Sequence, residues 1–592
     1  MFRKNQQHLQ SKLFSSMGAL PNKVRERLER SWAGEFYREF FTRIDEELFA
    51  PLYAEIASRP NVPVNLLVGL ETLKAGFGWS DEEMYDHFCY DLQVRYALGL
   101  QEVGDGHFEL RTLYNFRQRL SQQMQETGVN VFDQVFEQVT DAQVRTLELR
   151  TNRLRMDSTL IASNIRDLSR LQLLVEVVQR VQRMLSAVDQ VRYAETLAPY
   201  VDRTSGQYVY RLRRDEQGGH LERVGQVLWQ LRQELEAPYA DEPAYVLLCR
   251  VFEEHFTVEA AGPQLRPAET VSARSLQAPD DPEATYRRTR RGVHKGYVVN
   301  VTETCDEDND LQLILEVETA PNVQDDAALL AASLPALKKR TQVEELHTDG
   351  GYNSAAVDEV MRQQHVEQVQ TAIRGSRPAH QHLGLEHFVV EPEAQTVTCP
   401  HGQTAAIQPG QKPHWFFTRF AAAQCAGCPL FLGACPVRVG QRDPSPVLRF
   451  TQRNLDVARR RIRSAAQQAS GKNLRVAIEA TVRSLKHPFR HHHLPVRGRF
   501  RAAAMMLASA LMINVRRIHR SRALRAAPAT FTAPPDPSST VGSVALASIP
   551  VVCTLCVHWF LSLFFRYRFH PFRYLTRILR RSPNPICCPV TG

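Results

Sequence analysis

The chain opens without the apolar core that a secretory signal peptide needs. Met1-Phe-Arg-Lys-Asn-Gln-Gln-His8 is polar and basic, so synthesis and residence in the cytosol are expected. That compartment excludes a disulfide framework for the eleven cysteines among 592 residues, and clustering among them has to be read as metal binding, reactivity or accident. Acidic residues fall short of basic ones, 64 against 73, leaving a formal net charge of +9. Much of the excess lies in 453–525, with its Arg459-Arg-Arg461 and Arg497-Gly-Arg499 clusters. A basic surface of this kind suits a polyanionic partner, although solubility also accounts for net charge. A single ordinary core is excluded by length, and roughly two to four domains are expected.

Long uncharged apolar runs are scarce as well. One, 544–565, follows a Pro/Ser/Thr-rich linker and is just long enough to span a bilayer. Arg566, Arg568 and Arg573 after it would leave the C-terminus in the cytoplasm if it inserted. Pro550, His558 and several Ser, Thr and Cys residues make it a poor span, so no membrane partner is expected. Residues 526–592 are read as an irregular apolar and basic tail, and Cys553, Cys556, Cys587 and Cys588 in it as carrying no function.

What is present falls into an ordered pattern. Residues 1–145 read as helical: Val64-Asn-Leu-Leu-Val-Gly-Leu is amphipathic, and Ser80-Asp-Glu-Glu83 is a capping box with acids in the first turn. Such a helical domain reads DNA or serves as an interaction module. From Arg153 the period changes to alternation, with Leu154 and Met156 inward and the run ending at Asp157. A helical insertion occupies about 165–290, with its helices in 169–258 and a Pro-rich charged exit in 262–291. Strand signals resume at His294-Lys-Gly-Tyr297 and at Leu311-Gln-Leu-Ile-Leu315, joined by the polar turn Cys305-Asp-Glu-Asp-Asn-Asp310, which predicts an antiparallel hairpin. Helix 325–339, strand 343–348, helix 355–364 and strand 366–373 follow. The fold class expected for 146–525 is α/β, a mixed sheet with helices packed against it, preceded by an all-α domain.

Three acids stand out in this frame. Asp157 and Asp349 each follow a predicted strand, and Glu479 lies in 473–486, read as one helix. At about 100° per residue, Arg475, Glu479 and Lys486 fall on one stripe of that helix, beside an apolar face of Leu474, Ala477, Ile478, Val482 and Leu485. A solvated, salt-bridged face explains the stripe equally well, and a lone Asp after a strand is more often a turn former or helix cap. Three such acids in a basic protein suit metal-dependent phosphoryl chemistry, in which carboxylates from distant segments hold two cations about 3.5–4 Å apart.

Several motifs together make the pattern specific. They are Ser80-Asp-Glu-Glu, Arg95-Tyr-Ala-Leu-Gly-Leu, Phe116-Arg-Gln-Arg-Leu, Arg155-Met-Asp-Ser-Thr, His294-Lys-Gly-Tyr and Thr348-Asp-Gly-Gly-Tyr. The series continues with Arg475-Val-Ala-Ile-Glu and Lys486, Arg497-Gly-Arg and Asn514-Val-Arg-Arg. Over about residues 20–520 the chain resembles the DDE transposases of bacterial insertion sequences, from the group with an InsH-type N-terminal domain. The resemblance implies an RNase H-like catalytic domain in which Asp157 and Asp349 hold Mg²⁺ (or Mn²⁺) and Glu479 completes the second metal's shell. It implies cleavage at the element's ends by water, then attack of the freed 3′-hydroxyl on target DNA. Arg475 and Lys486 would grip phosphates of double-stranded DNA, the element's ends and the target, in a homodimer or larger assembly at the nucleoid. The family's signature has a tyrosine where this chain has Lys472; a lysine still contacts phosphate as a point charge. The alternatives are a catalytically inactive DNA-binding relative, an RNase H-like nuclease that cuts without strand transfer, and a protein anchored by its tail.

The Cys-rich segment, about 395–440, carries Cys425-Ala-Gly-Cys428, Cys435 and, upstream, Cys399. Four thiolates suffice for a structural tetrahedral Zn²⁺, with His401 a substitute ligand; reduced, partly buried cysteines are the alternative. His491-His-His493 reads as a solvated loop, and Met505-Met-Leu-Ala-Ser-Ala-Leu-Met512 as core.

Overall fold

The computed structural model describes residues 1–526 apart from Ser11, Leu13, Phe14, 55–59, Arg291, 372–382, Leu432, 440–443 and Lys472, and apart from the side chains of Gln468 and Ser470. The tail reading for 526–592, with its span at 544–565, therefore lies outside the described residues beyond Ala526. Among the described residues no helix is long and apolar enough to cross a membrane.

The N-terminal segment is helical, as its periodicity predicts. Its main helices are α1 (Val64–Phe77), α2 (Asp81–Tyr90), α3 (Leu110–Thr127) and α4 (Val131–Thr146). The capping box forms: Ser80 Oγ accepts from the Glu83 N–H at 3.1 Å and Glu83 Oε2 from the Ser80 N–H at 2.7 Å. Gly78 ends α1 at φ +74°, and a Cβ there would stand 2.0 Å from the Pro488 carbonyl oxygen. Only glycine satisfies both conditions, so this turn presses directly on the segment that follows the Glu479 helix.

Strand β1 (Arg153–Ala162) opens the central sheet. The insertion follows, built on α5 (Arg170–Met184), α6 (Gln217–Glu234) and α7 (Pro243–His255), with its own core around Leu174, Val178, Leu228 and Phe252. The chain returns as β2 (Thr285–Thr289), a strand inside the segment read as linker, then β3 (Gly292–Thr304) and β4 (Ile314–Pro321). Helix α8 (Asp326–Arg340), β5 (Glu345–Thr348), α9 (Ala355–Gln363) and β6 (Glu367–Gln370) complete the layer. The sheet order is β2-β3-β1-β5-β6, with β4 also on β3; β1 is antiparallel to β3, while β1–β5 and β5–β6 are parallel. The β3–β4 pair is the expected hairpin. Leu154 and Met156 face one core with Leu330 and Leu334, and Ile161 joins the other, which the N-terminal helices share.

One expectation about β1 is corrected. The strand does not end at Asp157 but runs five residues further, paired with β3 as far as Ala162 opposite Gly296. Ser158-Thr-Leu-Ile161 extends the run because its alternate residues keep finding the two faces of the sheet. The pairing that stops near Asp157 is the other one, with β5.

Six short antiparallel strands between Val389–Glu391 and Pro446–Thr451 form a second sheet around Phe388, Val397, Leu448 and Phe450. After it come α10 (Gln452–Ser470), α11 (Ile478–Lys486) and α12 (Arg499–Ala526). Met505, Met506 and Met512 of α12 are buried in the shared core. Asn514 is buried too: its Oδ1 accepts from the Ile314 N–H and its Nδ2 donates to the Ile314 carbonyl, both at 2.9 Å, clamping α12 to the end of β4.

An acidic cluster lies between α4 and β4. Burial pushes the carboxyls of Asp133, Glu316 and Glu318 up to about 7, and mutual repulsion adds to the first two. Carboxyls raised on folding contribute stability that is complete below about pH 4 and is lost as pH rises through about 7. Glu318→Gln is therefore expected to stabilise the protein at pH 8 by about 1–3 kcal/mol and to change little at pH 4. Urea unfolding at the two pH values checks this; an equal effect at both would contradict it.

Candidate active site

Two strands place the aspartates. The parallel ladder pairs Arg153, Leu154 and Arg155 with Glu345, Leu346 and His347. Continued by two residues, that register brings Asp157 level with Asp349, immediately beyond the last paired residues. Asp349 does end its strand as expected, and its Oδ1 accepts from the Gly351 N–H at 2.7 Å in the turn that follows. Burial pushes the Asp157 carboxyl up, Arg475 pulls it back, and the nearby Asp349 charge raises it again.

Glu479 arrives from α11. The helix is shorter than its periodicity suggested, a second correction: it starts at Ile478, and Arg475 belongs to the turn before it. That turn is tight, with i→i+3 bonds from Ile478 to Arg475 and from Glu479 to Val476, the narrower geometry usual at helix ends. Ile478, Val482 and Leu485 are buried as predicted, whereas Ala477 is exposed.

Three contacts dock α11 and the turn before it on the sheet. Arg155 Nη1 donates to the Leu474 carbonyl at 2.9 Å, and Lys486 Nζ donates to Thr159 Oγ1 on β1 at 2.7 Å. Thr481 Oγ1 donates at 2.8 Å to Glu303, a fully buried carboxylate that also accepts from Arg155 Nε and Arg517 Nη1, both at 2.7 Å. Glu303 thus ties β3, β1, α11 and α12 together two residues from Glu479. No motif pointed to it.

The result is a convergence of acids around one guanidinium. Arg475 donates through Nη2 to Asp157 Oδ2 at 3.1 Å and through Nη1 to Glu479 Oε1 at 3.4 Å. Arg475, read as a phosphate contact, is here held between two of the three acids. Asp157 is largely enclosed, with 14% of its side chain exposed, while Glu479 is open at 57%. Lys486 stands on the same face of β1, and Lys472 lies outside the described residues. A further acid was missed: Asp326, the first residue of α8, lies beside Asp349, with Ser158 next to it. In sequence Asp325-Asp326 has no mark beyond that of an ordinary helix start.

Cys399, Cys425, Cys428 and Cys435 are free thiols. Cys425 and Cys435 are buried in the core of the second sheet, and Cys399 packs against it. Burial pushes the thiols of Cys425 and Cys435 up, and the neighbouring thiols push further. Cys399, Cys425 and Cys435 thus share one cluster. Among the described residues no three His, Cys, Asp or Glu side chains already stand as an ion cage. His491, His492 and His493 are exposed, as expected of a solvated loop.

Comparison with known families gives two matches: the Transposase DDE domain over residues 398–519, which holds Glu479 and the four cysteines, and the transposase domain DUF772 over 25–119 in the helical segment. No curated protein and no solved structure matched. With transposase families matched in both the helical N-terminal segment and the segment that carries Glu479, the chain carries two transposase domains, the second of the DDE kind.

Proposed function

We propose that this protein cuts DNA at the ends of an insertion sequence and joins the freed ends to target DNA, with Asp157, Asp349 and Glu479 as its catalytic carboxylates. The observation that carries this reading is that Asp157 of β1 and Glu479 of α11 share the Arg475 guanidinium, while Asp349, at the end of β5, is close enough to act on Asp157. The sheet around them supports an RNase H-like reading of 146–525, and the helices of 1–145, InsH-type in this reading, are assigned the recognition of terminal repeats.

Divalent metal chemistry fits the residues present. The donors are carboxylate oxygens, which suit Mg²⁺ or Mn²⁺. Oδ1 of Asp326 is buried with no hydrogen-bond partner, and a Cβ added at Gly351 would fill the space between Asp326 and Asp349. Asp157, Asp349 and Glu479 would hold the ions, which when bound activate the attacking oxygen and stabilise the leaving one. The chain's own part is to position. Glu303 and Arg155 hold α11 against β1, and Arg475 with Lys486 offers cations to phosphates, which orient DNA without reading its sequence. Partners are double-stranded DNA and further copies of this chain, a dimer or larger on DNA, in the cytoplasm at the nucleoid.

Purified protein with Mg²⁺ and DNA carrying the element's ends tests the reading: cleavage and joining are expected, and cutting without joining would favour a nuclease. Lys472, where the family has tyrosine, favours a second reading, a DNA-binding relative that no longer cuts. Under that reading the wild type leaves the ends intact and Lys472→Tyr restores cleavage.

The four cysteines are assigned a structural Zn²⁺, closed to substrate because every position is a thiolate. Metal analysis is expected to find about one zinc per chain. Cys428→Ser is expected to lose it and to lower the melting temperature by on the order of 5 °C or more. Zinc-free protein of unchanged stability would refute the assignment.

A further inference from the structure

Asp326 is the acid that the proposed chemistry leaves unused, and its setting is unusual for a helix start. A first-turn Asp normally satisfies a backbone N–H or faces water. Neither Asp325 nor Asp326 caps α8: the Asp325 side chain makes no capping bond, and Oδ1 of Asp326 is buried with no hydrogen-bond partner among the described residues. The carboxylate is turned toward Gly351 instead. A Cβ on that glycine would lie 2.8 Å from Asp349 Oδ1 and 3.3 Å from Asp326 Oδ2, so the two acids enclose a space that only a missing side chain keeps clear. The Gly351 backbone does not have the positive φ that would demand glycine. Space, not backbone conformation, is what the residue supplies.

Charge points the same way. Of the four carboxylates Asp157, Asp349, Asp326 and Glu479, Arg475 contacts Asp157 and Glu479, while Asp326 has the Ser158 hydroxyl and the Arg287 charge nearby to set against the charge of Asp349. Partly buried carboxylates gathered like this are unfavourable unless cations balance them.

We propose that Asp326 is a fourth metal-binding carboxylate of this site, sharing with Asp349 the cation on the β1–β5 side, with Gly351 keeping the space between them open. The proposal rests on the metal-site reading above and adds a ligand that the three-acid signature does not include.

Binding of Mn²⁺ alone to the full-length protein, without DNA, followed by calorimetry or by the spin resonance of free Mn²⁺, tests it. Asp326→Asn is expected to weaken Mn²⁺ binding by about 10–100-fold with the melting temperature of the metal-free protein unchanged or higher, while Asp325→Asn next to it binds as wild type. Gly351→Ala keeps every carboxylate and fills the space, so it is expected to weaken Mn²⁺ as well, but its Cβ also presses on Asp349; Asp326→Ser, which removes the carboxylate and leaves Asp349 untouched, decides the matter should Asp326→Asn fail to fold. Wild-type affinity in both Asp326→Asn and Gly351→Ala, with affinity lost in Asp349→Asn, overturns the fourth ligand and leaves the three-acid site standing. A wild-type protein that binds no Mn²⁺ overturns the metal-site reading itself.

Discussion

Asp157→Asn, Asp349→Asn and Glu479→Gln are each expected to reduce end cleavage by about 10³-fold or more while DNA retention in a gel-shift assay changes little. Each exchange keeps shape and removes a charge. In Asp349→Asn the new amide still has an oxygen to accept from the Gly351 N–H, so the turn after β5 survives. Asp157→Asn gives up the charge half of the contact with Arg475, but at a place where burial and Asp349 already disfavour a carboxylate. The aspartate variants should therefore melt no lower than wild type in the absence of metal, which separates lost chemistry from lost fold. Glu479 is the more exposed of the two acids that touch Arg475, and its exchange should be the mildest structurally. Near-normal cleavage by Glu479→Gln would remove it from the catalytic set.

Glu303→Ala is expected to destabilise the protein by about 3–5 kcal/mol, because it strands two partly buried guanidiniums at once. Glu303 is fully buried, and Arg155, Arg517 and Thr481 all point at it. Thr481 is on the same helix as Glu479, so the variant also loosens the third acid against the first. Cleavage should fall even at temperatures where the variant remains folded. Urea unfolding measures the stability change, and a loss below about 1 kcal/mol would mean that water replaces the carboxylate at little cost. Glu303→Gln retains one acceptor oxygen and should fall between wild type and the alanine variant.

These two predictions draw on different kinds of information. Asp157, Asp349 and Glu479 could be singled out in the sequence because each sits in a recognisable short motif. Glu303 could not, because it lies in a strand of ordinary pattern and owes its role to Arg155, 148 residues away in sequence, and to Arg517, 214 residues away. The same contrast holds for helices. The Ser80 capping box was readable because its bonds are local, whereas the start of α11 was misplaced by the periodicity of 473–486. Periodicity does not distinguish an α-helix from the tighter turn that precedes it. Strand β2 and the second sheet between 389 and 451 escaped notice because their strands are short and their partners nonlocal.

What the sequence determined by itself was local: alternation in β1 and in the run that leads into β4, the turn between β3 and β4, and the helical N-terminal segment. These follow from the periods of side-chain placement and from turn chemistry, which act over a few residues. The tertiary structure alone decided which acids meet. The parallel register of β1 on β5 sets Asp157 beside Asp349, the Glu303 knot brings the turn of Arg475 and Glu479 to Asp157, and the packing of α8 turns Asp326 toward Gly351. Each is a contact between segments far apart in the chain, fixed by the burial of whole elements, and no short stretch of sequence carries that information.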